Sequence, residues 1–489
     1  MSDYIRRHYS WFALAILSLS LFNLTYRLGS EFVSEWDESL YAISASEAIT
    51  NGSWLGTTFL GQLDYYNSKP PLMVWLIAGS FKAFGANLVS LRLASVICAF
   101  LTVVVLQQWA RRAFGPLVAL LASLVLATMF GFMHVHSGRS AATDAPFTLV
   151  MTLIVVTLWA ERDHPWRRLW LGLLLAAAFM LRGMSVLMPL ALILLVAIPA
   201  WRRPRAWAPT FGACALFAAP VGLWLIARYR LDGWLFINRL VMYDFVERTI
   251  QPIEGHPGGP LFYLDVLQKD HYDWLLAAAA ALLLVPRRTS MWRVVREQWS
   301  APGSVGPLLA AWAVVTLLIP TLMQTKVAWY LNTFYPLFAL GVGAALARAC
   351  SAIEPMPMGW RPVAMVAMFM IALGVAEGKL FWYSWTRRDI RLSEQSMLLD
   401  VRQQLAGQRV FLDPGSRATR FVTEALIGAK ARPVTSDDAF LLESRAGDYR
   451  LSSVPCDTLG MEWIREKRPQ FLCRRPRERS LSEMILDTP

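Results

Sequence analysis

Charge is scarce in this chain. Only 17% of its 489 residues are Asp, Glu, Lys or Arg, against about a quarter in a soluble protein of ordinary composition. Hydrophobic residues make up 56%, and they fall in blocks. The deficit excludes a conventional soluble globule. Cysteine is sparse as well: there are five, with no Cys-x-x-Cys pair, so a thiolate zinc site is not expected. No internal repeat or low-complexity tract stands out. What remains is an all-α polytopic membrane protein.

The net charge of +12 comes from 47 Lys and Arg against 35 Asp and Glu, and its placement speaks against nucleic acid. Most of the surplus sits in short loops between apolar blocks: Arg6 and Arg7, Arg111 and Arg112, Arg162 with Arg167 and Arg168, Arg202, Arg203 and Arg205, and Arg287, Arg288, Arg293 and Arg296. Loops retained in the cytoplasm carry such an excess, so the pattern is topological. A stretch of about 20 apolar residues crosses the hydrocarbon core as a helix. That criterion places spans near 10–28, 88–110, 116–134, 145–160, 168–182, 184–200, 207–228, 273–286, 304–322, 331–349 and 361–382. Eleven spans put the N-terminus inside, the C-terminus outside and these Arg-rich loops on the inner face. The first segment has a charged start but no small-x-small site before Glu31, so it reads as an uncleaved helix.

Two outer loops are long, 29–87 and 229–272. In the first, Leu40, Tyr41, Ala45, Ala48 and Ile49 share one side at helical spacing, with Ser39, Ser46 and Glu47 elsewhere and Gly52 as a stop, predicting a helix over 38–50. Pro71 to Phe84 is amphipathic and short, and is expected to lie along the interface. After Trp385 the composition turns polar. Apolar strings at Arg409–Asp413 and Pro469–Cys473, with a helical stretch near 416–430 between them, predict a small α/β domain on the outer side. The chain thus divides into a transmembrane unit, 1–385, and a soluble periplasmic domain, 386–489. Cys98, Cys214 and Cys350 read as free thiols. For Cys456 and Cys473, in the outer domain, the sequence is equally compatible with a disulfide and with two thiols.

Ionisable groups beside hydrocarbon are costly and tend to mark sites. Asp37 and Glu38 open the loop helix behind Trp36. As caps they would satisfy free amides and oppose the dipole; at the membrane boundary they are also candidate catalytic carboxylates. Consecutive helical residues point about 100° apart, so one of them faces a reacting centre: Asp37 as general base, with Glu38 in support. Pro70 and Pro71 bias Lys69 towards an extended backbone, and Tyr65 and Tyr66 offer an aromatic shelf for a sugar ring or a headgroup. Arg92, Arg139, Arg182 and Lys326 fall at outer ends of spans. Singly each reads as a boundary anchor; with Lys69 they would form a cationic ring for a lipid-linked phosphate. Asp144 either caps the helix starting at Ala145, or holds an arginine or touches the acceptor. His256 is either a loop surface group or, with Asp37 or Glu38 nearby, a ligand for a divalent metal. No other cofactor is indicated.

In order along the chain come Trp36-Asp-Glu-Ser-Leu-Tyr41-Ala, Tyr66-Asn-Ser-Lys69-Pro-Pro71 running to Phe81-Lys-Ala-Phe-Gly85, Leu91-Arg92-Leu-Ala-Ser95, Ser137-Gly-Arg139 to Asp144, Leu181-Arg182-Gly183, and Thr325-Lys326 with Tyr330 and Pro336. This set, covering roughly residues 1–385, resembles the GT-C glycosyltransferases that use polyprenyl-phosphate sugars. That group holds the protein O-mannosyltransferases and the bacterial aminoarabinose transferases that modify lipid A. The resemblance implies an acidic catalytic residue in the first loop, matched by Asp37, and donor-phosphate ligands at Lys69, Arg182 and Lys326, with Arg139 and Tyr330 in the same set. It implies transfer of one sugar, with inversion, from an undecaprenyl- or dolichyl-phosphate carrier to an envelope lipid, glycan or protein at the periplasmic face of the bacterial inner membrane. Aminoarabinose transferases have Arg where this chain has Leu40, and a metal-ligating Glu where it has Ser68; at Leu181-Arg182-Gly183 the family usually has Lys-Gly-Pro. These departures leave sugar, acceptor and metal open. Two rivals are a transporter or flippase for lipid-linked saccharides, which predicts broken helices with charges at mid-membrane, and a polymerase or ligase, which predicts its site in one large late loop. The strongest signal lies in the first loop instead, and favours the transferase.

Overall fold

The computed structural model describes residues 2–160, 164–201, 207–284, 304–354 and 359–476. The basic positions Arg162, Arg202, Arg203, Arg205, Arg287, Arg288, Arg293 and Arg296 lie outside the described residues, as do the last two positions of the span expected over 273–286.

Up to Thr386 the described chain is nearly all helix. Among the described residues six helices are long and apolar enough to cross a membrane: Tyr9–Ser30, Leu88–Phe114, Arg168–Val196, Trp207–Asp232, Tyr335–Ile353 and Trp360–Thr386. Four shorter apolar helices accompany them, Leu72–Phe84, Pro116–Thr128, Asp144–Ala160 and Gly306–Leu322. Four expected spans differ in detail. The stretch 116–134 breaks at Met129, whose extended backbone separates Pro116–Thr128 from a short helix, Phe130–His134. The stretches 168–182 and 184–200 are joined by a 3-10 turn, Gly183–Val186. Gly183 has φ +55°, and a Cβ there would lie 2.6 Å from the Leu240 side chain, so this joint needs glycine. The stretch expected over 273–286 is the tail of a longer helix, Phe262–Leu284, with non-helical backbone at His271.

Opposite ends of the helices carry different chemistry. Arg6, Arg348 and the Phe114–Pro116 turn line one cavity of about 550 Å³, and Arg111 lies 4.1 Å over the Tyr9 ring. At the other end of the Leu88–Phe114 helix, Arg92 pairs with Glu38. At about 1.5 Å rise per residue Arg92 and Arg111 lie roughly 30 Å apart along this helix, the thickness of a hydrocarbon core.

The first loop is well ordered by its own sequence. Its helix runs Asp37–Asn51 and stops at Gly52 in the left-handed region, φ +73°, a conformation that glycine adopts without strain. Leu40, Tyr41, Ala45 and Ala48 are buried as expected; Ile49 is exposed, while Ser39, Ser44 and Glu47 are also enclosed. The following helix, Leu72–Phe84, packs against it and buries Met73, Val74, Ile77, Ala78 and Phe81 while exposing Trp75, Leu76 and Phe84.

Beyond Arg387 a five-stranded sheet appears, in the order Lys430–Pro433, Arg409–Leu412, Tyr449–Ser452, Gln470–Arg474, Glu462–Lys467. The first two pairings are parallel and the last two antiparallel. The helix expected over 416–430 is Arg417–Phe421, continued by a π turn, Val422–Leu426. Cys456 and Cys473 form a disulfide with Cα atoms 5.4 Å apart. This region grips the first loop. The Phe32 amide donates to the Arg388 carbonyl at 3.0 Å, Gln395 bonds both the amide and the carbonyl of Val33 at 2.9 and 2.7 Å, the Ala418 amide donates to Glu35 at 3.0 Å, and Arg417 pairs with Asp64 at 2.7 Å.

Candidate active site

The site begins with a helix cap. Asn87 accepts from the amides of Val89 and Ser90 while its own amide donates to Ser90 Oγ, a reciprocal arrangement that fixes a helix start. Arg92, one turn in, is thereby aimed at Glu38, with Nε 2.8 Å from Oε1. Arg92 also donates to the carbonyls of Leu28 at 2.6 Å and Phe32 at 2.8 Å. Glu38 further accepts from Arg388 at 3.3 Å, the Ser34 amide at 3.0 Å and the Ala141 amide at 3.2 Å. Its side chain is 0% exposed. Burial would raise the Glu38 carboxyl, but Arg92 and Arg388 outweigh it and bring the group down to about 2. Both oxygens of Glu38, expected to support Asp37, are committed to the scaffold.

Asp37, the next residue back, faces the other way. Its side chain is 20% exposed, with Lys69 Nζ 3.6 Å from Oδ1 and His136 Nδ1 3.8 Å from Oδ2. Asp37 and Lys69 border a cavity of about 300 Å³ that is also lined by Trp36, Tyr66, Asn67, Arg248, His256 and Trp329. Burial alone would raise the Asp37 carboxyl; Lys69, His136 and Arg182 instead hold it well below the usual carboxylate range. Burial likewise works against charge on Lys69, but Asp37, Tyr41 and Asp244 keep it raised and protonated. Beneath them the Tyr41 hydroxyl is pushed up to about 12, chiefly by burial.

Arg182 adjoins this cavity. Asp144 holds it at 2.8 Å, as one of the sequence alternatives proposed, and its guanidinium lies 5.3 Å from the Phe147 ring and 5.7 Å from the Tyr330 ring. Arg182 and Tyr330 line a second, mainly apolar cavity of about 80 Å³ that shares Asp244 with the first. A cation on the wall of an apolar cavity that neighbours a polar one suits a phosphate carried on a lipid tail.

The expected cationic ring shrinks to two members. Arg139 is buried and spends its guanidinium on Glu31 at 2.5 Å and on the carbonyls of Asn23 and Tyr26 at 2.5 and 2.7 Å. Arg92 is consumed by Glu38 in the same way. Lys326 turns its Nζ to the carbonyls of Pro320, Thr321 and Met323, satisfying the end of the Gly306–Leu322 helix. Tyr65 also departs from expectation: its hydroxyl donates to Asp232 at 2.9 Å, leaving Tyr66 as the tyrosine on the cavity wall. His256 does line the cavity, edge-on to Trp329 at 6.1 Å. Among the described residues no group of three His, Cys, Asp or Glu could hold a metal ion, and Ser68, where the metal-ligating Glu would stand, donates to Asp244 at 2.8 Å.

His136, Trp329 and Arg248 were not anticipated. His136 immediately precedes the Ser137-Gly-Arg139 string. Its backbone is left-handed, φ +50°, and its ring stacks on Trp329 at 4.0 Å and 20°. Gly138 makes this turn compact, since a Cβ there would lie 2.6 Å from Leu24 and 3.1 Å from Ala99. Arg248 is held by Glu254 at 2.7 Å and Asp244 at 3.6 Å. The signal for His136 and Trp329 was adjacency to recognised strings; for Arg248 there was none.

Residues 68–224 match the family model of dolichyl-phosphate-mannose-protein mannosyltransferases. The undecaprenyl phosphate-alpha-4-amino-4-deoxy-L-arabinose arabinosyl transferase of Pseudomonas aeruginosa is 30% identical over 327 residues, covering 64% of this chain and 55% of the relative. The enzyme of that name in Edwardsiella ictaluri is 26% identical over 346 residues, covering 68% and 59%. The match therefore spans little more than half the length of these relatives. In fold, ArnT from Cupriavidus metallidurans, solved bound to undecaprenyl phosphate, superposes with a TM-score of 0.69 at 14% identity, covering 95% of this chain and 97% of that one. An oligosaccharyltransferase from Archaeoglobus fulgidus gives 0.51 at 12% identity, covering 90% and 66%. The chain has the GT-C glycosyltransferase fold and is a sequence relative of the dolichyl-phosphate-mannose and undecaprenyl-phosphate aminoarabinose transferases.

Proposed function

We propose that the protein is a membrane glycosyltransferase that moves one sugar, with inversion, from a polyprenyl-phosphate carrier to an envelope acceptor at the periplasmic face of the inner membrane. One observation carries the reading: Asp37 and Lys69 share a polar cavity that has Asp244 in common with an apolar one lined by Arg182, at the end of the bundle away from the Arg6 and Arg348 cavity. Eleven spans, with the sheet region on the outer side, accommodate that arrangement.

Lys69 and Arg182 hold the donor phosphate and stabilise it as it leaves. The prenyl tail follows the apolar wall of Phe147, Met184 and Ile319. The sugar faces Tyr66 and Trp329, whose rings suit its apolar face. Asp37 serves the general-base side of the reaction, where a proton leaves an acceptor hydroxyl or an acceptor phosphate is oriented. Leu40 and Ser68 stand where the aminoarabinose branch has Arg and Glu, so the aminoarabinose named for the relatives is one candidate sugar among several.

The test is mass spectrometry of envelope lipids, glycans and proteins from cells with and without the protein, followed by transfer assays with undecaprenyl-phosphate sugars. A single-sugar mass increment that needs the wild-type chain supports the reading. Identical envelopes and no transfer in vitro would overturn it.

A further inference from the structure

The cavity contains one group that its known relatives' strings do not explain. His136 is built into position: its backbone is held left-handed at φ +50°, a conformation uncommon outside glycine and costly to keep without a reason, and its ring lies flat on Trp329 at 4.0 Å. Nδ1 is buried, has no hydrogen-bond partner and points at Asp37 Oδ2 from 3.8 Å. The side chain is 25% exposed and lines the cavity, so Nε2 is the ring nitrogen that opens onto it. Catalytic hydrogen bonds are often this long before substrate binds and tighten in the reacting complex.

Resting on the glycosyltransferase reading, we propose that His136 is the proton acceptor of the transfer, with Asp37 as the carboxylate that orients its ring and stabilises its charged form. Asp37 alone is poorly suited to the task. With Lys69 at 3.6 Å it stays ionised far below neutrality, and such a carboxylate is a weak base at the pH where it works. An imidazole backed by a carboxylate has the basicity the step needs. The acceptor hydroxyl oxygen forms the new bond to the sugar's anomeric carbon, and that carbon's bond to the phosphate oxygen breaks. The hydroxyl proton passes to Nε2, the phosphate leaves on its polyprenol with the bonding electron pair against Lys69 and Arg182, and the imidazolium later returns its proton to solvent. The proposal thereby names the acceptor class as a hydroxyl, since a phosphate acceptor brings no proton to remove. The charged and titratable groups around His136 are Asp37 on its helix, Lys69 beside it, the Asp144–Arg182 pair behind, and Arg248, Glu254 and His256 across the cavity.

The experiment uses the full-length protein in detergent or vesicles with an undecaprenyl-phosphate sugar and its acceptor. His136→Asn suits the left-handed backbone, and His136→Gln keeps a polar side chain of similar reach. Each is expected to lower kcat about 10²- to 10³-fold, to leave the donor KM within about twofold, and to lose the acidic limb of the wild-type pH–rate profile. Variants that keep at least half the wild-type kcat, or the acidic limb, would overturn the assignment; so would a product in which the sugar is joined to phosphate. If the wild type itself transfers no sugar, the glycosyltransferase reading falls, and this assignment with it. If the wild type and the His136 variants transfer equally, only the assignment falls.

Discussion

Asp37 and Glu38 are neighbours in sequence and opposites in circumstance. Glu38 belongs to a sealed network with Glu31, Arg92, Arg139 and Arg388, in which every carboxylate oxygen and nearly every guanidinium nitrogen is taken. Asp37 belongs to an open cluster with Lys69 and His136, whose partners stand 3.6 and 3.8 Å away. The difference separates holding from reacting. A saturated ion pair in the dry interior has no capacity left for a ligand, whereas a loosely paired carboxylate at a cavity wall keeps lone pairs in reserve. Two residues one position apart thus face a sealed scaffold and an open cavity, because a helix turns them about 100° apart.

Substitutions can break the comparison, the largest effect first. Asp37→Asn should lower sugar transfer by about 10³-fold or more, equivalent to roughly 4 kcal/mol of barrier, while thermal unfolding followed by tryptophan fluorescence stays near wild type. A folded Asp37→Asn protein with normal activity would erase the distinction. Glu38→Ala should do the reverse. It strands Arg92 and Arg388 in a buried site, which costs about 3–5 kcal/mol, so the unfolding midpoint should fall sharply. The pH dependence sharpens the point. The Glu38 carboxyl is depressed to about 2 in the folded chain, so its contribution is complete above the unfolded carboxylate value of about 4.3 and is lost as pH falls through about 2. Wild type should lose stability across that window, and Glu38→Gln should lose less of it.

Arg182→Ala comes next. It should raise the donor KM and lower kcat/KM by about 10²-fold, read from titration with the polyprenyl-phosphate sugar; Arg139→Ala should disturb folding and leave the donor KM of the surviving protein unchanged. The smallest effect belongs to Tyr65→Phe, which removes one hydrogen bond to Asp232 outside the cavity. Transfer should stay within about twofold, whereas Tyr66→Ala on the cavity wall should lose more.

Much of this arrangement could be read from the chain before any coordinates. The apolar blocks, the loop helix with its Gly52 stop and the polar region beyond Trp385 follow from composition and periodicity, which are local properties. The convergence of Asp37, Lys69 and Arg182 was legible because each sits at a boundary where bare charge is costly. The fates of Arg92, Arg139 and Lys326 were not legible. They share that boundary, but their partners are Glu38, Glu31 and a run of helix-end carbonyls, and long-range pairing leaves no periodic trace. His136 was invisible for a related reason: its significance lies in a ring stacked from Trp329, nearly two hundred positions later. The break at Gly183 was legible from Arg182 and the glycine beside it, whereas the break at Met129 was missed because it lies inside a run whose hydropathy never drops.

The clasp between the start of the first loop and the segment after the last long helix has a consequence for biosynthesis. Arg388, Asp389 and Gln395 secure Phe32, Arg27 and Val33 across more than 350 positions, and Arg388 also helps to set Glu38. A ribosome finishes the first loop more than 350 positions before it supplies this fastening. The nascent chain therefore passes through the membrane machinery with that loop unfastened, and the cavity beside Asp37 takes its final form only after residues 388–395 have been made.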